Sequence, residues 1–230
     1  MALIDGSEER VHLVGHSYGS GVALHVALAR PCRIASMALY EPSAFWRLSR
    51  GRVIALHCSA AVASQWSYFA EVLGGRYELL GDYRGAASAF VNYWNGSGAW
   101  DALRPAVQQA LIRWLPKAPL DFRALIEEPT PASPYRKLDF PVLILRGEHA
   151  PLPTRLIAEG LSHLVPVSRL LTVEGAGHMG PLTHAPQVSA LFVQHIASVE
   201  AASDISGPRR WRPRFLADIL GASSRTAQIV

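Results

Sequence analysis

Cysteine is nearly absent from this chain: Cys32 and Cys58 are the only two among 230 residues, and they have no CxxC spacing. Such scarcity argues against a disulfide framework or a structural zinc site and suits a reducing compartment. No uninterrupted apolar stretch is long enough to span a bilayer. The opening residues carry Asp5, Glu8 and Glu9, which does not read as a signal peptide. The expectation is therefore a soluble, cytoplasmic protein. Charge of one sign is also in short supply: 22 Lys and Arg against 18 Asp and Glu leave a net charge of +4. Part of that excess lies in Arg209, Arg210, Arg212 and Arg214, read as a solvated tail ahead of an anion-binding one. There is neither a recognisable nucleic-acid motif nor a solenoid-type repeat.

What the chain does have is apolar residues, which make up 50% of it, enough for one domain plus an excursion. Val11-His12-Leu13-Val14 reads as a short strand ending at Gly15, followed by a small, apolar helix from Gly19 to Ala29 that stops at Arg30-Pro31. Ile34 to Tyr40 reads as a second buried strand, closed by Glu41-Pro42. A strand, a helix and a strand at this spacing imply a crossover unit and a parallel sheet. The pattern is strand-like again at Val53–Leu56, helix-like from Ser64 to Leu73, and strand-like at Tyr77–Leu80.

Residues 81–136 are of a different character, with aromatics at irregular spacing (Tyr83, Phe90, Tyr93, Trp94, Trp100, Trp114, Phe122) and scattered prolines. They read as helices outside the sheet, forming a lid whose aromatics are lid core before they are substrate contacts. The sheet pattern returns at Pro141–Leu145, then a helix from Thr154 to Leu164, a strand from Arg169 to Val173, a glycine loop, and a helix from Pro186 to Val199. The domain reading is thus 1–80 and 137–200 as two parts of an α/β core, 81–136 as a helical lid, and 201–230 as a tail.

Gly15-His16-Ser17-Tyr18-Gly19 fits the G-x-S-x-G nucleophile elbow, in which a serine sits on a strained strand-to-helix turn and the helix N-terminus faces developing negative charge. A preceding strand and a following small-residue helix are the context that motif requires. His16, beside the serine, reads as structural, because a neighbour on this turn points elsewhere. Gly175-Ala176-Gly177-His178-Met179-Gly180-Pro181 follows the last strand, from where His178 can reach across the strand ends to Ser17 as general base. A surface loop histidine is the plainer alternative.

The acid is less clear. Its usual place, three residues after Gly147, falls on Ala150, which cannot orient an imidazole. Glu41 closes the strand after the nucleophile helix, at the sheet edge that carries Ser17, and is preferred. The absence of any functional acid comes next, and Glu148 third.

With these motifs the chain resembles the α/β-hydrolase superfamily over most of residues 9 to 198. The elbow at 15–19, the segment Pro141 to Pro153, and the histidine loop through Pro181-Leu182-Thr183-His184 carry the likeness. In some branches, such as haloalkane dehalogenases and related luciferases, the acid follows the strand after the nucleophile, where Ala38-Leu39-Tyr40-Glu41 stands here. Those dehalogenases use an aspartate nucleophile, so Ser17 implies acyl transfer on esters, thioesters or amides.

Two departures stand out. In the family, roughly a hundred residues precede the elbow, whereas here it arrives at residue 17. The segment Val53 to Leu80 resembles that missing beginning, with Cys58 where glycine is usual. Either it fills its customary slot beside the Ser17 strand, so that the backbone amides of Tyr18 and Ser59 form the oxyanion hole, or it belongs to the lid and the hole is incomplete.

The expectation is a mostly parallel α/β sheet, incomplete or rearranged at one edge. It would act on a small-molecule substrate with an apolar acyl group, through Ser17, His178 and Glu41. No metal or organic cofactor is implied. The competing readings are a non-catalytic remnant or ligand-binding module, and the same fold running another reaction, as in lyases or cofactor-free haloperoxidases.

Overall fold

The computed structural model describes residues 2–44, 81–126 and 129–205. The relocated strand–helix–strand expected at 51–80, Ser59 with it, and the tail beyond 205 lie outside the described residues.

A short helix α1 (Ala2–Asp5) precedes β1 (Val11–His16), α2 (Tyr18–Ala29) and β2 (Ile34–Tyr40). Pro31 ends α2: the residue before a proline is pushed out of the helical region, and Arg30 sits at φ −140°, ψ 51°. Three further helices follow, α3 (Tyr83–Asn95), α4 (Pro105–Trp114) and α5 (Ala118–Ile126). Asp82 caps α3 by accepting the Gly85 amide at 2.8 Å, satisfying one of the amides a helix start leaves over. Then come β3 (Val142–Gly147), α6 (Leu152–Leu164), β4 (Ser168–Val173), the short α7 (Gly180–Thr183) and α8 (Ala185–Ile205). The helix expected to close the core at Val199 runs on to Ile205, so the first tail residues are its last turn.

Among the described residues the four strands form one parallel sheet in the order β1-β2-β3-β4. Successive side chains of a strand face opposite sides, and β2 and β3 are buried on both. Met37, Leu39, Val142 and Ile144 join Leu24 of α2 and Ile157 and Leu161 of α6 in one cluster. Ala38, Tyr40, Leu143 and Leu145 join Val188 of α8 in the other. Continuous apolar runs such as Val142–Leu145 are what a strand covered by helices on both faces requires. The helices of 83–126 lie outside the sheet; Val91 and Trp94 of α3, with Trp100 and Leu115 from the segments between these helices, extend the first cluster. β1, β2, β3 and β4 all run the same way, so the ends of β1, β2 and β3 and the loop after β4 open at one edge.

Candidate active site

Ser17 follows the last residue of β1 and precedes the first of α2, with φ 51° and ψ −120°. That left-handed conformation is costly for a residue with a Cβ. It is held by neighbours: the Ser17 amide donates to the Tyr40 carbonyl at 3.0 Å, and its own carbonyl accepts from the Ser20 amide at 3.0 Å. Gly15 permits the turn, since a Cβ there would lie 2.7 Å from the Ser20 Cα and 2.9 Å from the Gly19 carbonyl oxygen. Gly19 meets nothing comparable among the described residues. Tyr18 opens α2, so its amide is among those that the helix itself leaves unpaired.

Glu41 continues from β2 and is the other non-glycine residue with positive φ among those described, at 45°. Its carboxylate is buried, with the residue 1% exposed. The backbone turn aims the side chain along the strand ends, where Oε1 accepts the Gly147 amide at 2.9 Å and Oε2 lies 2.7 Å from Nδ1 of His178. Gly147, last in β3, sits so close to the Ala176 and Gly177 backbone that a side chain there would displace the histidine loop.

His178 is reached from the other side. Its Nε2 lies 3.1 Å from Ser17 Oγ. Because Nδ1 faces a carboxylate, the proton sits there, and Nε2 is left to accept from the serine hydroxyl. The three side chains therefore form one hydrogen-bonded series, Ser17 to His178 to Glu41. It can move a proton from Oγ to Nε2 and hold the resulting cation against a buried carboxylate.

Three more residues lie against the imidazole or its loop, none of them singled out for this by the sequence. Nε2–H of His16 donates to the His178 carbonyl at 2.8 Å. Burial, and then the neighbouring His178, push the His16 ring down to about 4, so it stays neutral. The Tyr40 hydroxyl donates to the Gly177 carbonyl at 2.7 Å. Burial, reinforced by Glu41, raises the Tyr40 phenol above its ordinary value and keeps it a donor. The Trp94 ring lies 4.3 Å from that of His178, centroid to centroid. His16 reads from the sequence as a structural residue pointing elsewhere, whereas its ring faces the histidine loop and lies 4.9 Å from that of His178. A buried tyrosine at a strand end signals a hydroxyl needing a partner, but nothing near Trp94 in the chain announces its neighbour.

The remaining candidates fall elsewhere. Glu148 turns to the loop backbone and accepts the Gly175 amide at 2.9 Å. Ala150 is buried, 4% exposed, in the position where the family's usual acid is expected. Among the described residues no group of three or more His, Cys, Asp or Glu side chains is arranged to hold a metal ion, and no helix is long and apolar enough to cross a membrane.

A sequence profile described as "Alpha/beta hydrolase family" matches residues 2–191. No curated protein matches the chain. Among solved structures, a hydrolase from Oleispira antarctica superposes with a TM-score of 0.60 at 17% identity, over 82% of this chain and 66% of that one. Carboxylesterase CesB of Bacillus subtilis does so with a TM-score of 0.56 at 21% identity, over 83% and 61%. A meta-cleavage product hydrolase of Pseudomonas fluorescens IP01 gives 0.55 at 17% identity, over 85% and 68%. These likenesses are of fold, and the chain spans about two thirds of the length of each of these three structures.

Proposed function

The chain belongs to the alpha/beta hydrolase family, and on that premise we propose that it is a serine hydrolase working through a Ser17 acyl-enzyme. The observation that carries this reading is the position of His178, 3.1 Å from Ser17 Oγ on one nitrogen and 2.7 Å from Glu41 on the other. As an acyl substrate's carbonyl approaches, Ser17 Oγ bonds to its carbon while the hydroxyl proton passes to His178 Nε2. Glu41 stabilises the imidazolium, which then returns the proton to the leaving group. Water, deprotonated by the same nitrogen, resolves the ester. The developing oxyanion rests on the Tyr18 amide at the start of α2 and, in our reading, on that of Ser59. An ester, thioester or amide of a small apolar acyl group is the substrate class, with residues 81–136 as the lid over it.

A fluorophosphonate probe tests this directly, since it labels only an activated serine. Rapid labelling of the wild type that disappears in Ser17→Ala is the expected result. Should the wild type label no faster than Ser17→Ala, the serine is not activated, and a ligand-binding role for the site takes its place.

A further inference from the structure

Trp94 is the last but one residue of α3, and three features pin the end of that helix. The Asn95 side chain donates to the Val91 carbonyl at 2.9 Å, the Asn92 side chain accepts the Trp100 amide at 2.9 Å, and Gly96 breaks the helix at φ 91°. The same end approaches the histidine loop, where a Cβ on Gly177 would meet the Trp94 carbonyl oxygen at 3.8 Å. The indole is buried, 6% exposed, and makes edge contacts with Phe90 and Tyr93. Against His178 it is different: the two rings are 33° apart in plane with centroids 4.3 Å apart. That is a tilted stack, which presents the electron-rich indole face to the imidazole.

The face of tryptophan attracts a cation, and most strongly where water is excluded. His178 is itself 7% exposed. Its other aromatic neighbour among the described residues, His16, 4.9 Å away, carries no charge to oppose a cation. We propose that Trp94 is a positioning residue for His178: its indole holds the imidazole in line with Ser17 and stabilises the imidazolium formed when Ser17 Oγ surrenders its proton to Nε2. The proposal rests on His178 being the base of the reaction described above. It gives the 83–95 helix a part in the chemistry, because any movement of that helix alters the charge balance on the base.

The test follows the titration of the His178 ring by imidazole 15N NMR in the wild type, Trp94→Phe and Trp94→Leu, alongside the pH profile of fluorophosphonate labelling. The midpoint is expected to fall from Trp to Phe to Leu, by roughly one pH unit at Leu. The acid limb of the labelling profile moves down with it, and the plateau rate drops about five- to tenfold. Phe, with a weaker but intact π face, recovers part of both. If the indole merely screens the ring from water, its removal admits water to the imidazolium and the midpoint rises; a raised or unchanged midpoint overturns the proposal. Because Trp94 is part of the core, a fluorinated tryptophan at position 94 supplies a shape-preserving control. It withdraws charge from the π face and is expected to lower the midpoint, whereas no change counts against the proposal. If the three proteins titrate in this order yet the wild type does not label, the Trp94–His178 interaction stands and the hydrolase reading falls, so the two failures are distinguishable.

Discussion

At the scale of the residue, the site turns on two strained positions. Ser17 and Glu41 both have positive φ, and each conformation is stabilised by backbone hydrogen bonds to the neighbouring strand end, Ser17 to Tyr40 and Glu41 to Leu145. Strain of this kind, costing about 1–3 kcal/mol per residue, persists where the surroundings over-determine it. Glu41→Gln keeps the shape but no longer offers two equivalent acceptors, so it can present an amide N–H to Nδ1 and favour the wrong tautomer. Fluorophosphonate labelling is expected to slow about 10⁴-fold, as when a triad aspartate becomes asparagine, while circular dichroism stays that of the wild type. Glu148→Gln is the matched control. Glu148 is bonded to a loop amide rather than to the imidazole, so labelling should remain within a few-fold of wild type, and a loss as large as that of Glu41→Gln would move the acid to Glu148. The sequence marks Ser17 and His178 through motifs in which local chain geometry and chemistry coincide. Glu41 is legible only by its place at a strand end, since its carboxylate meets His178 across 137 residues.

At the scale of the element, the elbow depends on how closely α2 can follow β1. A methyl group on Gly15 would press against backbone atoms of Gly19 and Ser20, which cannot swing aside as a side chain can. Gly15→Ala is expected to cost about 1–3 kcal/mol, the usual range for overpacking, read as a lowered urea midpoint. Labelling should slow as well, because the turn that aims Ser17 opens. Gly19→Ala, by contrast, meets no described atom and should change the stability by less than about 1 kcal/mol. Elements were legible where periodicity and breakers agree: the strand Ile34–Tyr40 is read with its observed bounds, and α2 ends at the Arg30-Pro31 signal. The far end of α8 was not, because the Ala- and Ser-rich segment after Val199 lacks a strong apolar stripe, and a helix continues until something stops it.

At the scale of the whole molecule, burial disfavours the charged form of several histidines. His16 is pushed down to about 4. His12 and His195, on β1 and α8, are lowered too, both chiefly by burial. A histidine whose folded value lies below its unfolded one binds fewer protons in the native state, so stability rises with pH across the gap. The His16 contribution is complete above pH 6.5, the unfolded value, and is lost as the pH falls toward 4. At about 1.4 kcal/mol per unit, the His16 window amounts to roughly 3 kcal/mol at most. Urea unfolding should show a lower midpoint at pH 4.5 than at pH 7, and His16→Gln should narrow that difference. An equal difference in the variant would assign the acid lability to other groups.

The sequence by itself determined the class of the fold and marked Ser17 and His178 as the candidate nucleophile and base. Alternation between buried strands and helices, together with the G-x-S-x-G turn and the glycine-rich histidine loop, is local information that neighbouring residues carry. What only the tertiary structure decided is which groups meet at the strand ends. The register of β2 against β3 brings Glu41 to the Gly147 amide. Chain segments 84 residues apart bring Trp94 to His178, and packing of the β4 loop against Tyr40 and His16 holds the imidazole in place. Those contacts arise from the closing of a parallel sheet between two layers of helices, and no periodicity along the chain records them.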